Sequence, residues 1–305
     1  MKLVRSMTSE LNLWYLDDGT IGGELHDLLH DLDTVRRVGP TIGLLLNEDK
    51  CEIVTNDDSV VSSFRAVMPN ILHTRGNDAV LLGAPIGDQS AIDNVLQSKL
   101  TVFQRFASRL TTLNAQNALF LLKNCLGLPK LLYTLRCASC YNSAVLSQYD
   151  TVIKQTLQVI LNIDLTEQVW SQATLPVSSG GLGVRVVTDL ALPAFLSSVA
   201  GSSNRMLRLL PSRLQAASGI QDPLYITACL EWTARCNAVV PDTSKIGMQN
   251  AWDLSLVSRK LEIVKSAAQN QVGLARLIAA TAPHSGDFLN AIPCSTVGTR
   301  LDDTS

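Results

Sequence analysis

The sequence predicts an α+β fold, with a mixed first part that ends near Asp88 and a mainly helical remainder. Short apolar runs bounded by turn residues dominate the first part, as expected for strands. Beyond it, apolar residues recur at the three- and four-residue spacing of amphipathic helices. The chain of 305 residues is 46% hydrophobic and only 17% charged, which favours a packed core over a disordered chain.

The first predicted element is a β-hairpin within "LNLWYLDDGTIGG", Leu11 to Gly23. The apolar run suits a strand, "DDG" is hairpin-turn chemistry and "TIGG" can form the returning strand. Asp17 and Asp18 would then stand side by side at the tip. Because adjacent ionised carboxylates repel each other, this pattern indicates either a routine hairpin corner or a site for a cation.

A helix and two strand-bearing segments complete the first part. The helix should end before Pro40, with one apolar face made by Leu25, Leu28, Leu29, Leu32 and Val35. Its other face is predicted to be polar and to contain Asp27, Asp31, Asp33 and Arg36. We expect the strands within "GLLLNEDKCEIVTN" and "AVLLGAPIG".

The second part is predicted to be a series of helices. The first is amphipathic from Ile92 to Leu110, and others are expected at 114–126, 130–140, 144–161, 191–210, 223–238 and 251–280. "TLPVSSGGLGVR" (Thr174 to Arg185) must interrupt them, because it contains proline and three glycines. Its "GGLG" lacks the Lys and Ser/Thr of a phosphate-binding P-loop, so it predicts a turn. The tail "CSTVGTRLDDTS" is expected to fray.

Charge is distributed unevenly along a chain whose net charge is only -2. Residues 1–58 contain twelve acids and five bases, whereas residues 95–155 contain seven bases and one acid. A basic segment of this kind can bind a polyanion, although a solvated helical face that happens to be basic is the competing interpretation.

Composition also indicates where in the cell the protein is expected. No unbroken apolar run reaches the roughly 20 residues of a bilayer span, so no membrane association is expected. The start has no apolar block of signal-peptide length. Seven scattered cysteines are typical of reduced intracellular thiols. We therefore expect an intracellular protein of the cytoplasm or nucleus.

Three motifs in one order resemble a known family. "YLDDGT" resembles the Tyr-x-Asp-Asp catalytic hairpin of reverse transcriptases, and "GLLLNEDKCEIV" is similar to the next palm motif of non-LTR (LINE-like) retrotransposon enzymes. "LLGAPIG" is similar to the hairpin that leads to the thumb. The resemblance continues more weakly through "LPVSSGGLGVR" and "SGDFLNAIP". It implies a partial palm at 1–88, a helical thumb-like region at 89–173 and a helical C-terminal region at 174–305.

The resemblance also implies roles for individual residues. Asp17 and Asp18 would be catalytic and would bind Mg²⁺ in the intact enzyme, while Tyr15 would lie near the primer end. Lys50 could approach the incoming deoxynucleoside triphosphate, although an ordinary solvated lysine is an equal alternative. The implied partners are deoxynucleotides and the duplex of RNA template and DNA primer. Residues expected to contact that duplex are Lys99, Arg105 and Arg109.

The sequence leaves the activity of this chain open. Family polymerases use a further metal-binding Asp on an upstream palm strand, and fingers that hold template and nucleotide. Before Asp17 the only acid is Glu10, which has no matching strand context. We therefore expect a truncated palm that is inactive alone, from an enzyme that makes DNA by two-metal nucleotidyl transfer. There are two alternatives. One is a noncatalytic helical protein that binds nucleic acid or another partner, and the other is an expressed relic.

Overall fold

The computed structural model describes residues 2–268 and 270–301, and in this part of the chain three small sheets accompany many helices. The strands are β1 (Leu11–Tyr15), β2 (Asp18–Gly22), β3 (Glu52–Val54), β4 (Leu72–Thr74), β5 (Val80–Leu81) and β6 (Ala84–Pro85). The helices are α1 (Lys2–Arg5), α2 (Leu25–Val38), α3 (Asp58–Val67), α4 (Gln89–Leu110), α5 (Ala115–Leu121), α6 (Leu128–Cys137), α7 (Val145–Leu161), α8 (Glu167–Ala173), α9 (Val187–Leu209), α10 (Ser212–Gln215), α11 (Pro223–Cys236), α12 (Gln249–Ser266) and α13 (Gln271–Ala280). The predicted α+β class is confirmed at this coarse level.

Each sheet has two strands. β1 pairs with β2 and β5 with β6, both antiparallel, as the two hairpin motifs predict. β3 pairs with β4 in parallel, and α3 connects them. The sequence analysis did not predict α3 or β4. Yet Asp57 is a recognisable helix cap, whose carboxylate accepts a hydrogen bond from the Ser59 N–H at 2.8 Å.

The chain forms two compact units. The first contains the described residues up to Ala79 together with Ser203–Gln221, and the second contains Val80–Ser202 with the described residues from Asp222 onward. In the first unit the apolar face of α2 packs, as predicted, on a small core of Ile53, Phe64, Met68 and Ile71. The division of the chain at residues 88 and 173 stays a prediction.

The second unit has the larger core. α4 and α7 pack together there, and the rings of Phe103 and Tyr149 stack with centroids 5.5 Å apart. Trp232 and Trp252 are fully buried and meet edge to face at 5.0 Å. The indole N–H of Trp232 donates to the Trp252 carbonyl at 3.1 Å. Both tryptophans therefore stabilise the core, with the polar atom of the Trp232 ring satisfied.

The glycine-rich segment Thr174–Arg185 lies within the second unit and is irregular apart from one short helical turn, as predicted. A side chain at Gly181 would place its Cβ 2.1 Å from the carbonyl oxygen of Leu175. Only glycine therefore allows the segment to fold back this closely.

One helical prediction needs correction. The single helix expected at 251–280 is two helices, α12 and α13. Asn270 begins the second by accepting a hydrogen bond from the Gly273 N–H at 2.7 Å. The apolar pattern continues through this break, and for that reason the two helices were predicted as one.

The C-terminal tail is anchored where the structure describes it, so the prediction that it frays is wrong up to residue 301. The Gln116 side chain donates to the Thr299 carbonyl at 2.9 Å and accepts from the Leu301 N–H at 2.8 Å. Residues 302–305 lie outside the described residues. A contact between residues this far apart in the chain leaves no local signal in the sequence.

One helical stretch of the described chain, Ala115–Cys137, is long and apolar enough to cross a membrane by length and composition. The α-helical geometry changes within it, because a π-helical turn occupies Leu122–Leu126. Leu122, Leu131 and Leu135 are at most 1% exposed and belong to the core of the second unit. The expected absence of membrane association stays a prediction.

Candidate functional site

The predicted hairpin is present, and its tip carries the two aspartates. Tyr15 pairs with Asp18, which leaves Leu16 and Asp17 as a two-residue turn. Leu16 has a φ of 59°, the positive value that primed hairpin turns need at their first central position. Asp17 and Asp18 are both exposed, and Tyr15 is 63% exposed beside them.

Behind the tip, the ring of Trp14 on β1 packs across the paired strand β2. It pairs with Gly19, where a side chain would place its Cβ 2.9 Å from atoms of the Trp14 ring. The indole N–H donates to Asn12 Oδ1 at 2.8 Å, and Asn12 donates to the Val4 carbonyl at 3.2 Å. Gly19 is therefore required because the indole lies across it, and Trp14 serves packing in the described structure.

A buried carboxylate fixes the chain just before the hairpin. Asp31, on α2, is fully buried and accepts hydrogen bonds from the N–H groups of Thr8 at 2.8 Å and Ser9 at 2.7 Å. Burial by itself raises its pKa, but the hydrogen bonds outweigh it and hold the pKa of Asp31 below its ordinary value. The predicted polar face of α2 is therefore not solvated at Asp31, where Thr8 and Ser9 cover it.

Glu10 lies at the far end of the hairpin from the two aspartates. It precedes the first residue of β1, and at about 3.4 Å per residue it stands roughly 17 Å from the tip. Its carboxylate forms an ion pair with Arg213 of α10. Glu10 therefore does not complete a cation site at the tip. No group of three or more potential metal ligands occurs among the described residues.

Lys50 is exposed at the end of a single helical turn, Glu48–Lys50, that precedes β3. Arg36 holds this turn, because its Nε donates to Glu48 Oε1 at 2.8 Å and its Nη2 donates to the Val67 carbonyl at 3.1 Å. Within the described residues neither Lys50 nor the two aspartates form a side-chain hydrogen bond or an ion pair. Their charged groups face solvent.

The predicted duplex-contacting residues all lie on α4, which is amphipathic as expected. Arg105 and Arg109 are exposed and, being four residues apart, lie about 40° apart around the helix axis. Lys99 is partly buried, about 80° from Arg109. Lys99 also lies about 120° from Arg105, towards the buried side of the helix, so only Arg105 and Arg109 share its solvent-facing side.

The other four bases of the 95–155 segment are not equivalent to these. Lys154 pairs with Glu167 at 2.6 Å, Arg136 contacts Gln249, and Lys123 donates to two oxygens of the C-terminal segment. Lys130 is exposed without a partner in the described chain. The surface available to a polyanion is therefore smaller than the count of seven bases implies.

Comparison with known proteins gives no significant match to a family model, to a curated protein or to a solved structure. The assignment of roles to the hairpin and to α4 therefore depends on the motifs themselves and on the geometry given above.

Sequence reasoning missed the residues that position these elements. Asp31 was interpreted as one of several solvated helix acids, and Arg36 had no predicted role. Asp150 was the one acid in a basic segment, which was its only signal. It is a partly buried acceptor for the N–H groups of Val187 at 2.6 Å and Thr188 at 3.1 Å. Each contact joins segments that are distant in sequence, so local patterns do not reveal it.

Proposed function

We propose that this chain is the palm-hairpin, thumb and C-terminal part of an RNA-directed DNA polymerase of the non-LTR retroelement kind. The observation that carries the proposal is the hairpin tip: a Tyr-x-Asp-Asp sequence in a two-residue turn, with both carboxylates exposed and unpaired among the described residues. Two further motifs in the expected order, at Gly43–Val54 and Leu81–Gly87, add support.

The chemistry of the donor set fits a hard divalent cation. Asp17 and Asp18 offer carboxylate oxygens, the ligands that Mg²⁺ takes together with water and substrate phosphates. When bound, such an ion activates the primer hydroxyl and stabilises the leaving phosphate. Asp17 and Asp18 would hold the ion at the exposed tip, and Tyr15 would lie beside the primer end. A further carboxylate ligand is needed for the full site, and the described residues do not provide it.

The helical part would bind the duplex. All three predicted bases lie on α4, directly after the β5–β6 hairpin, with Arg105 and Arg109 on its solvent-facing side and the partly buried Lys99 nearer its buried side. Lysine and arginine against phosphates give affinity without base specificity, as a polymerase requires. The β5–β6 turn is fixed by Tyr133, whose hydroxyl donates to the Leu82 carbonyl at 2.7 Å. This contact ties the hairpin to α6.

The metal role of the hairpin is tested with Mn²⁺, which reports binding by its electron paramagnetic resonance signal. We expect weak, saturable binding that becomes at least about tenfold weaker when Asp17 and Asp18 are both changed to Asn, because the charged ligands are lost. A matched variant, Asp33→Asn with Asp164→Asn, removes the same charge from exposed positions that have no partner in the described chain. Equal loss in both variants would show that only general charge is involved.

A further inference from the structure

A small cavity in the second unit brings together residues that are far apart in sequence. It has a volume of about 50 Å³, and its wall includes Lys123, Gly127, Leu128, Gly183, Val184 and Arg185. No carboxylate contributes to this wall. None of the residues proposed above for metal, nucleotide or duplex binding takes part in it.

Lys123 is a partly buried cation that has no carboxylate partner among the described residues. Its ammonium donates to the Leu289 carbonyl at 3.0 Å and to Asn290 Oδ1 at 2.6 Å, and both acceptors are neutral. Burial lowers the pKa of Lys123. Since an ammonium has three N–H donors, one remains for a ligand.

The glycine-rich segment supplies the opposite wall. A side chain at Gly183 would place its Cβ 2.9 Å from Lys123 Cε, and Gly183 has a φ of 75°. The positive φ therefore favours glycine here, and the absence of a side chain leaves room for the lysine. In sequence, "GGLG" lacks the lysine of a phosphate-binding loop, whereas in the structure Lys123 lies against it.

The backbone donors of the glycine-rich wall differ in whether they have an acceptor. The N–H groups of Gly181 and Gly183 are used within the loop, by Pro176 O at 3.1 Å and Leu175 O at 3.0 Å. Val184 is only 3% exposed, and no group in the described chain accepts a hydrogen bond from its N–H. Buried backbone N–H groups are rarely left unpaired, so this donor indicates a missing acceptor.

Arg185 adds a further donor but little net charge. Its two terminal nitrogens donate to Asp253 at 2.8 and 2.7 Å, which neutralises the guanidinium, and no described group accepts from its Nε–H. The positive charge of Lys123 is therefore the uncompensated one at the cavity. A wall with one free cation and unpaired N–H donors complements an anionic oxygen acceptor.

We propose that this cavity binds a single phosphoryl group, held by the ammonium of Lys123 with the N–H groups of Val184 and Arg185. The small volume favours one such group over a whole nucleotide. The phosphoryl group has two potential sources, free inorganic phosphate or the 5′-phosphate of a nucleic-acid end. This proposal does not depend on the polymerase function, since it uses other residues and another ligand chemistry.

The experiment measures the melting temperature of the full chain against inorganic phosphate, with chloride at equal ionic strength as reference. We expect saturable stabilisation by phosphate, with a dissociation constant at least about tenfold weaker in Lys123→Gln, because a charged donor is lost. A second arm compares a single-stranded oligonucleotide with and without a 5′-phosphate. Stabilisation only by the phosphorylated form assigns the site to a nucleic-acid end, and stabilisation only by inorganic phosphate assigns it to the free anion.

Asn290→Ala is the matched control. It removes one acceptor of Lys123 and weakens the contact with the C-terminal segment, but it keeps the ammonium at the cavity. We expect it to retain the phosphate response. The proposal is overturned if neither probe stabilises the wild-type chain, or if Lys123→Gln keeps the full response. If Lys123→Gln does not fold, loss of the response in Asn290→Ala contradicts the proposal and its retention supports it.

Discussion

Replacing Asp31 by alanine is expected to lower the free energy of unfolding of the first unit by about 3–5 kcal/mol. The carboxylate is fully buried and accepts hydrogen bonds from two backbone N–H groups, of Thr8 and Ser9, at the entry to the hairpin. Alanine would leave both donors without their acceptor. Denaturant unfolding followed by far-ultraviolet circular dichroism measures the change.

Asp33→Ala is the control on the same helix, because Asp33 is exposed and has no partner in the described chain. Its effect should stay within about 0.5 kcal/mol. The pKa of Asp31 is lowered in the fold, so its contribution is complete above the ordinary value of 3.8 and is lost as pH falls below that value. An unfolding free energy equal in Asp31→Ala and Asp33→Ala would refute the anchoring role.

Asp150→Ala is expected to destabilise the second unit by about 2–4 kcal/mol. Asp150, on α7, accepts hydrogen bonds from the Val187 N–H at 2.6 Å and the Thr188 hydroxyl at 2.7 Å, at the beginning of α9. Its removal leaves the first N–H groups of that 23-residue helix without a cap. Thermal unfolding measures the loss, with the exposed Asp164→Ala as the matched control.

The pH dependence at Asp150 has the opposite sign to that at Asp31. Burial raises the pKa of Asp150 despite the opposing hydrogen bonds, so the folded state holds this proton more tightly than the unfolded state. Stability from this group therefore falls as pH rises from the ordinary value of 3.8 to the raised one. Asp150→Ala should lack this slope, and a slope unchanged by the substitution would contradict the assignment.

The sequence predicted those helices and strands that neighbouring residues specify by turn chemistry or by the spacing of apolar side chains. The hairpin at Leu11–Gly22 followed from strand and turn residues, and α4 and α7 followed from apolar residues at helical spacing. β3 was expected, but α3 and β4 were missed. β4 has three residues, which are too few to show alternation. The break between α12 and α13 was missed because an asparagine cap within an apolar pattern is a weak signal.

In the candidate site, too, the sequence predicted what depends on local residue patterns and missed what depends on tertiary contacts. The sequence placed Asp17 and Asp18 at an exposed tip, and the structure agrees. It could not indicate that Asp31 is buried, because an acid on an amphipathic helix is usually solvated. Nor could it show that Lys123 lies against Gly183, since this contact depends on tertiary packing.

The central claim, that α4 presents a duplex-binding surface, is tested most directly by the affinity for an RNA/DNA duplex across a salt series. Wild type should bind at low salt and lose affinity steeply as salt rises, because bound phosphates release counterions. Changing Lys99, Arg105 and Arg109 together to Gln should weaken binding about tenfold or more and reduce the logarithmic salt slope by about 2–3. The matched triple variant changes Arg205, Arg208 and Arg276, which are exposed and without partners in the described chain, to Gln.

The control triple should keep most of the wild-type affinity, because its charges lie on α9 and α13 rather than on α4. Duplex binding without Mn²⁺ binding at the hairpin would favour the noncatalytic nucleic-acid-binding alternative over the polymerase. If the wild type and the Lys99, Arg105 and Arg109 variant bind equally at low salt, or if neither shows a salt slope, α4 is an ordinary solvated helix and the claim is wrong.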